Sequence, residues 1–220
     1  MRLNKTSLLI SLLAACALTA PAVFADEIQY TVTVDTASLN GDQGYLDLQF
    51  NPSSFTTQSA SAAVTNFSTD GALAPLGSET YDGTAGDVSG TLPGPVSFDN
   101  GTSTNEYTQG ITFGNTITFD LDLSGAALDS PNGDGGGTFV LDFFDPSGNQ
   151  LLTNNASGDV FTVDINPDGS TTATAFSSAS GGPSVATFSG PSAVPEPSMG
   201  LLLAGGLLAI GVFRRRLRAA

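Results

Sequence analysis

Almost all the side chains that could do chemistry in this 220-residue chain are carboxylates and hydroxyls. Histidine is absent, the single cysteine is Cys16 in an N-terminal apolar run, and lysine occurs only as Lys5. Between Asp26 and Phe213 there is thus no Ser–His pair, no thiolate nucleophile and no Schiff-base amine. What remains for catalysis is a carboxylate pair of the glycosidase kind. Asp120 and Asp122 share one strand face, roughly 7 Å apart at i, i+2. With no cation and no tryptophan beside them they read as solvated surface, and the chain is expected not to be an enzyme. A second constellation is Asp129, Asn132 and Asp134 in "LDSPNGDGGGTFVLD", which offers only oxygen ligands, as a hard cation prefers. It lacks the D-x-[DN]-x-[DN]-G spacing and the twelfth-position glutamate of an EF-hand. A plain long loop is the preferred reading there, a weak calcium site the alternative, and no other cofactor is implied. Sugar stacking would fall to Tyr30, Tyr45, Tyr81 and Tyr107, because tryptophan is absent; most of the 14 phenylalanines sit at inward positions and read as core.

Charge placement constrains the partners. The six basic residues, Arg2, Lys5, Arg214, Arg215, Arg216 and Arg218, all lie in terminal segments, while the 21 acidic residues all fall between them. The body is a polyanion without an internal counter-charge, so no side-chain salt bridge can form in it. Nucleic acid and anionic lipid surfaces are excluded as its partners, since both need Lys or Arg to meet phosphate. Such a surface favours solubility and attracts divalent cations. With Cys16 outside it, the body has no thiol or disulfide and must stand on its core alone.

The elements that position these residues follow a period of two. In "YTVTVD" Tyr30, Val32 and Val34 share one face, and in "YLDLQF" Leu46, Leu48 and Phe50 oppose Asp47 and Gln49. "ITFDLDLS" sets Ile117, Phe119, Leu121 and Leu123 against Asp120 and Asp122, and "VFTVDI" sets Phe161, Val163 and Ile165 against Asp164. These alternations predict half-buried strands, polar on the water side. "TFVLDFF", residues 138–144, is apolar on both faces apart from Asp142 and reads as a central strand. Asn40-Gly41, Asp70-Gly71, Asp82-Gly83, Asn100-Gly101, Asn132-Gly133, Ser147-Gly148 and Asp168-Gly169 supply turn chemistry between such runs. No stretch of residues 26–177 has the 3.6 period of a long helix. The expected class is all-β, an antiparallel two-sheet sandwich, jelly-roll-like or Ig-like, over 26–177. The Ser/Gly/Pro-rich stretch 178–194 is expected to be a flexible linker.

The two ends read as addresses. Residues 1–25 combine a basic start at Arg2 and Lys5, an apolar helix and the small-residue site Val23-Phe24-Ala25, which predicts Sec export and signal-peptidase cleavage after Ala25. A rival lies in Leu13-Ala14-Ala15-Cys16, a lipobox-like run that would lipidate Cys16. At the other end, residues 199–213 form 15 uncharged positions. As a helix they span roughly 22 Å, short of the roughly 30 Å hydrocarbon core, which makes a marginal permanent anchor. Arg214, Arg215, Arg216 and Arg218 would hold that end in the cytoplasm. Taken in order, "VPEPSMGLLLAGGLLAIGVFRRR" resembles the PEP-CTERM sorting signal of Gram-negative bacteria, over 195–220. The resemblance implies recognition at Pro195, Glu196 and Pro197 by exosortase, a membrane transpeptidase-like enzyme. It also implies a single transmembrane helix over 199–213 that holds the precursor at the inner membrane and is then discarded, and a link to exopolysaccharide and biofilm material. Two prolines suit such a motif, since they keep the backbone extended and out of the helix. The expected product is a surface or extracellular matrix protein with a structural or binding role, the alternative being a calcium-assisted carbohydrate-binding adhesin.

Overall fold

A computed structural model describes residues 27–53 and 57–193 of the chain. Ala25, Cys16, the Pro195-Glu196-Pro197 motif, residues 199–213 and the arginine cluster lie outside the described residues. Among the described residues no helix is long and apolar enough to cross a membrane.

The body is β-rich, and its strands fall into two sheets paired entirely antiparallel. One runs in the order β13 (Ala186–Ala193), β1 (Ile28–Asp35), β9 (Thr116–Ser124), β3 (Ser61–Thr69), β7 (Val96–Asp99) and β6 (Val88–Gly90). The other runs β12 (Thr171–Ala175), β11 (Asp159–Ile165), β10 (Gly137–Phe144), β2 (Gln43–Asn51), β8 (Glu106–Thr112) and β4 (Ala72–Leu73), with β5 (Gly83–Ala85) also pairing β8. The alternations place the expected side chains inward. Tyr30, Val32, Ile117, Phe119 and Leu121 from one sheet join Leu46, Leu48, Phe50, Phe161 and Val163 from the other in one apolar core. Aromatic rings join the two inner faces: Phe119 meets Phe139 at 6.3 Å between centroids, and Phe161 meets Phe188 at 5.4 Å. Ring pairs at such separations add a favourable term beyond the area they bury. The result is sandwich-like, with β10 inside its sheet as the apolar run "TFVLDFF" requires.

Among the described residues helix is confined to a 3-10 turn at Ala37–Leu39 and a four-residue α1 (Ala126–Asp129). The hairpin corners follow the turn chemistry. Asp145 and Asn149 close one, with Gly148 at φ 81°, and Asn166 and Ser170 close the β11–β12 corner, with Gly169 at φ 80°. Both glycines sit in the left-handed region, which a residue with a Cβ enters only at a cost.

The linker expectation for 178–194 needs correction. Residues 186–193 are strand β13, paired with β1 from Ile28–Ala193 to Val34–Ala186. The Phe188 side chain packs edge-on to Tyr30 at 6.1 Å. Ser, Gly and Pro made this stretch look unstructured, yet Ala186 and Phe188 alternate inward and the free edge of β1 supplies hydrogen-bond partners. The β-body thus continues to Ala193.

Candidate functional site

The outer face of the seven-stranded sheet carries chemistry that the inner face cannot. On β2, alternation that buries Leu46, Leu48 and Phe50 turns Tyr45, Asp47 and Gln49 outward. On β10 it turns Val140, Asp142 and Phe144 outward. Register then sets Tyr45 beside Phe144, Asp47 beside Asp142 and Gln49 beside Val140. On the other flank of β2, Thr108 and Glu106 of β8 lie opposite Asp47 and Gln49. Beyond β10, Asp142 pairs with Asp159 of β11, at a bulge where Leu141 pairs with Phe161 and Val160 is left unopposed. The bulge brings a third acid into the row. Asp159, Asp142 and Asp47 therefore succeed one another across three strands, with Glu106 one step along β8.

Walls rise around this face. Gly83–Ala85 add to the edge of β8, and the preceding Tyr81 sets its ring edge-on to Tyr45 at 5.2 Å and 85°. The Asp145–Gly148 corner faces it, and a cleft of about 580 Å³ opens between, lined by Tyr45, Asp47, Tyr81, Glu106, Thr108 and Asp145 among others. Tyr81 is 55 % exposed at the rim.

Asp47 was expected on the water side. It is on the outer face, but only 3 % exposed, because the cleft walls enclose it. Asp142 is 5 % exposed. Burial pushes the Asp142 carboxyl up to about 8, with the charges of Asp47, Asp159 and Glu106 adding to the rise. Burial likewise raises Asp47 to about 7; the Glu106 charge adds to this, while the bonds from Gln49 and Thr108 oppose it. Gln49 Nε2 donates to Asp47 Oδ2 at 2.8 Å, and the Thr108 hydroxyl donates to Oδ1 at 3.4 Å. Asp142 Oδ1 is buried and has no hydrogen-bond partner. Asp159, whose carboxyl burial also raises, accepts from Asn155 Nδ2 at 2.9 Å.

The residues singled out in the sequence are placed differently. Asp120 and Asp122 do share the outer face of β9, but neutral donors engage every carboxylate oxygen. Thr31 and Asn66 donate to Asp120 at 2.7 and 2.8 Å, and Gln29 and Thr65 donate to Asp122 at 2.7 and 2.9 Å. The Asp129, Asn132 and Asp134 constellation is divided. Asp129 ends α1 and is exposed, Asn132 Oδ1 accepts from the Asp134 backbone N–H at 2.9 Å, and Asp134 lines a shallow hollow with Asp164 and Asn166. Among the described residues no group of three or more His, Cys, Asp or Glu is placed to hold a metal ion. Tyr30 and Tyr107 are core residues; Tyr45 and Tyr81 are the tyrosines of the cleft. The buried acid pair missed by the sequence reading is Asp47 and Asp142. Its signal was the lone acid in "TFVLDFF", a charge on a strand with no water side.

Residues 193–216 match the family of the PEP-CTERM protein-sorting motif. The match contains Pro195, Glu196, Pro197 and Arg214, Arg215 and Arg216. No curated protein matches the chain. No solved structure matches it either. The chain thus carries a PEP-CTERM sorting motif on a β-rich body.

Proposed function

We propose that this chain is an exported bacterial surface or extracellular-matrix protein, processed by an exosortase-like enzyme. In this reading the Sec machinery and signal peptidase remove residues 1–25. The segment 199–213 with its arginine cluster then holds the precursor at the inner membrane until the tail is cut in the Pro195-Glu196-Pro197 region. The observation that carries the reading is the sorting motif at 193–216. The charge map agrees with it, since both addresses contain every basic residue and the body between them none. The body's role is structural or binding, in biofilm or exopolysaccharide material, and not catalytic. Between Asp26 and Phe213 the chain has no His, Lys or Cys to serve as a base or nucleophile. Of the two sandwich types, jelly-roll-like fits better, because β1 pairs with β13 and β2 with β10, early strands beside late ones.

Replacing Pro195, Glu196 and Pro197 with alanine tests the reading in the producing bacterium. Wild-type protein should be recovered outside the inner membrane, with an intact mass lacking both ends. The variant should accumulate in the membrane fraction with the tail retained. Equal masses for both would overturn it. A second reading, the calcium-assisted carbohydrate-binding adhesin, draws on the cleft, where the Tyr45 and Tyr81 rings stand beside carboxylate and amide oxygens that can accept from sugar hydroxyls. Binding on a glycan array, lost in Tyr81→Ala, would favour it.

A further inference from the structure

Two buried carboxyls face each other across β2 and β10, in a body with no Lys, Arg or His to neutralise them. Something from solution must do so. We propose that Asp47 and Asp142 form the seat of one hard divalent cation of the calcium class, entering through the cleft and bridging the two strands.

The register supplies the geometry. Directly opposed residues on antiparallel strands hold their Cβ atoms about 4.5–5.5 Å apart, so both carboxyls reach one point at calcium–oxygen distances of about 2.3–2.6 Å. The hydrogen bonding of the pair points the same way. Among the described residues Asp142 Oδ1 is the buried side-chain oxygen left without a partner. The fold satisfies other paired acids with neutral donors: Asp120 and Asp122, on the opposite face of the molecule's other sheet, have all four oxygens engaged by Thr31, Asn66, Gln29 and Thr65. A buried oxygen without a donor is costly, and more so on a charged group. At Asp142 Oδ1 no such donor is provided, which leaves that oxygen free to ligate a cation.

The cleft gives the ion its route and the rest of its shell. Asp47 lines it together with Gln49 and Thr108, whose side-chain oxygens are neutral. Since no three acids converge on one point among the described residues, the seat has two carboxylates, and neutral oxygens and water complete it, as hard cations accept. The surrounding polyanion concentrates divalent ions at the cleft mouth. This seat is separate from the Asp129, Asn132 and Asp134 loop and does not depend on sugar binding.

The rival neutraliser is a proton shared between the two carboxyls, and the experiment separates the two. The purified protein is stripped with chelator and melted at neutral pH, with and without calcium. At calcium a hundredfold above its dissociation constant the midpoint should rise by about 5–10 °C. Asp142→Asn should melt no lower than the stripped wild type and lose the calcium response, whereas Asp129→Asn with Asp134→Asn should keep it. Terbium provides a readout on the wild type alone. Its emission, sensitised by Tyr45, should saturate at one ion per chain and be displaced by calcium. The proposal is overturned by a wild type that calcium does not stabilise, by a response that survives Asp142→Asn, or by a response lost in the loop variant. It is equally overturned by terbium emission that calcium does not displace.

Discussion

Taking the protein from pH 5 to pH 9 in a chelating buffer should destabilise it, and the acids of the outer sheet face set the size of the effect. Asp47 and Asp142 face each other, with Glu106 on β8 and Asp159 on β11 as the other titratable groups of the row; Gln49, Thr108 and Asn155 are the neutral neighbours. A carboxyl whose folded pKa is raised holds its proton in the folded state after the unfolded chain has released it. Its contribution is therefore complete below the unfolded value of 3.8 and is lost as pH climbs through about 7 for Asp47 and about 8 for Asp142. Counted from pH 5, at roughly 1.4 kcal/mol per pH unit, these displacements correspond to roughly 3 and 4 kcal/mol. Their sum rivals the whole stability of a domain. Opening of the cleft walls to water would relieve the pair before the whole body unfolds. The net loss should thus be about 2–4 kcal/mol. Urea unfolding followed by far-UV circular dichroism measures it as a lower midpoint at pH 9 than at pH 5. Asp142→Asn should flatten most of the difference. A midpoint equal or higher at pH 9 in the wild type would refute the reasoning. The exposed acids Asp70, Asp145 and Asp168, which hydrogen bonds from Asn115, Asn149 and Ser170 hold below the ordinary value, lose their contribution only on acidification below 3.8, outside this window.

Tyr107→Phe should cost about 1–3 kcal/mol, because the buried hydroxyl accepts from the Leu92 N–H at 3.0 Å and donates to Gln109 Oε1 at 2.5 Å, and both partners would be stranded. Thermal or urea unfolding checks it, and a loss under half a kilocalorie would contradict the hydrogen-bond assignment. Limited chymotrypsin digestion should leave a resistant fragment that retains Phe188, as a strand paired with β1 requires; rapid cleavage after Phe188 would restore the linker.

Much of the fold was legible because alternation is a local signal. Leu46, Leu48 and Phe50, or Ile117, Phe119 and Leu121, announce their inward face from sequence alone. Pairing is not local, and the site depends on pairing. Nothing in "YLDLQF" says that Asp47 will stand beside Asp142, 95 positions later, or that Tyr81 will meet Tyr45 at the rim. The alternation placed Asp47 correctly on the outer face but could not report the walls that bury it. The paired acids of "ITFDLDLS" looked more chemical in sequence than they are, because their partners Thr31, Asn66, Gln29 and Thr65 come from β1 and β3. β13 was missed for the opposite reason: its composition is that of a linker, and only the open edge of β1 makes it a strand. Of the seven turn pairs, Asn40-Gly41, Asn132-Gly133, Ser147-Gly148 and Asp168-Gly169 place glycine at positive φ, whereas the glycines of the other three do not need it.

The pairing of β13 with β1 has a mechanical consequence. Ile28 and Ala193 are register partners, so the chain enters and leaves the body side by side, with Cα atoms about 5 Å apart. Tension applied between the two ends would act across the ladder and peel its rungs one after another, the weakest way to load a strand pair. Tension applied between the C-terminal end and something gripped in the cleft would instead run along β13, through the packed core and into the other sheet, loading many contacts at once. Hung from one end, the body resists a pull on its cleft far better than a pull on its own opposite terminus.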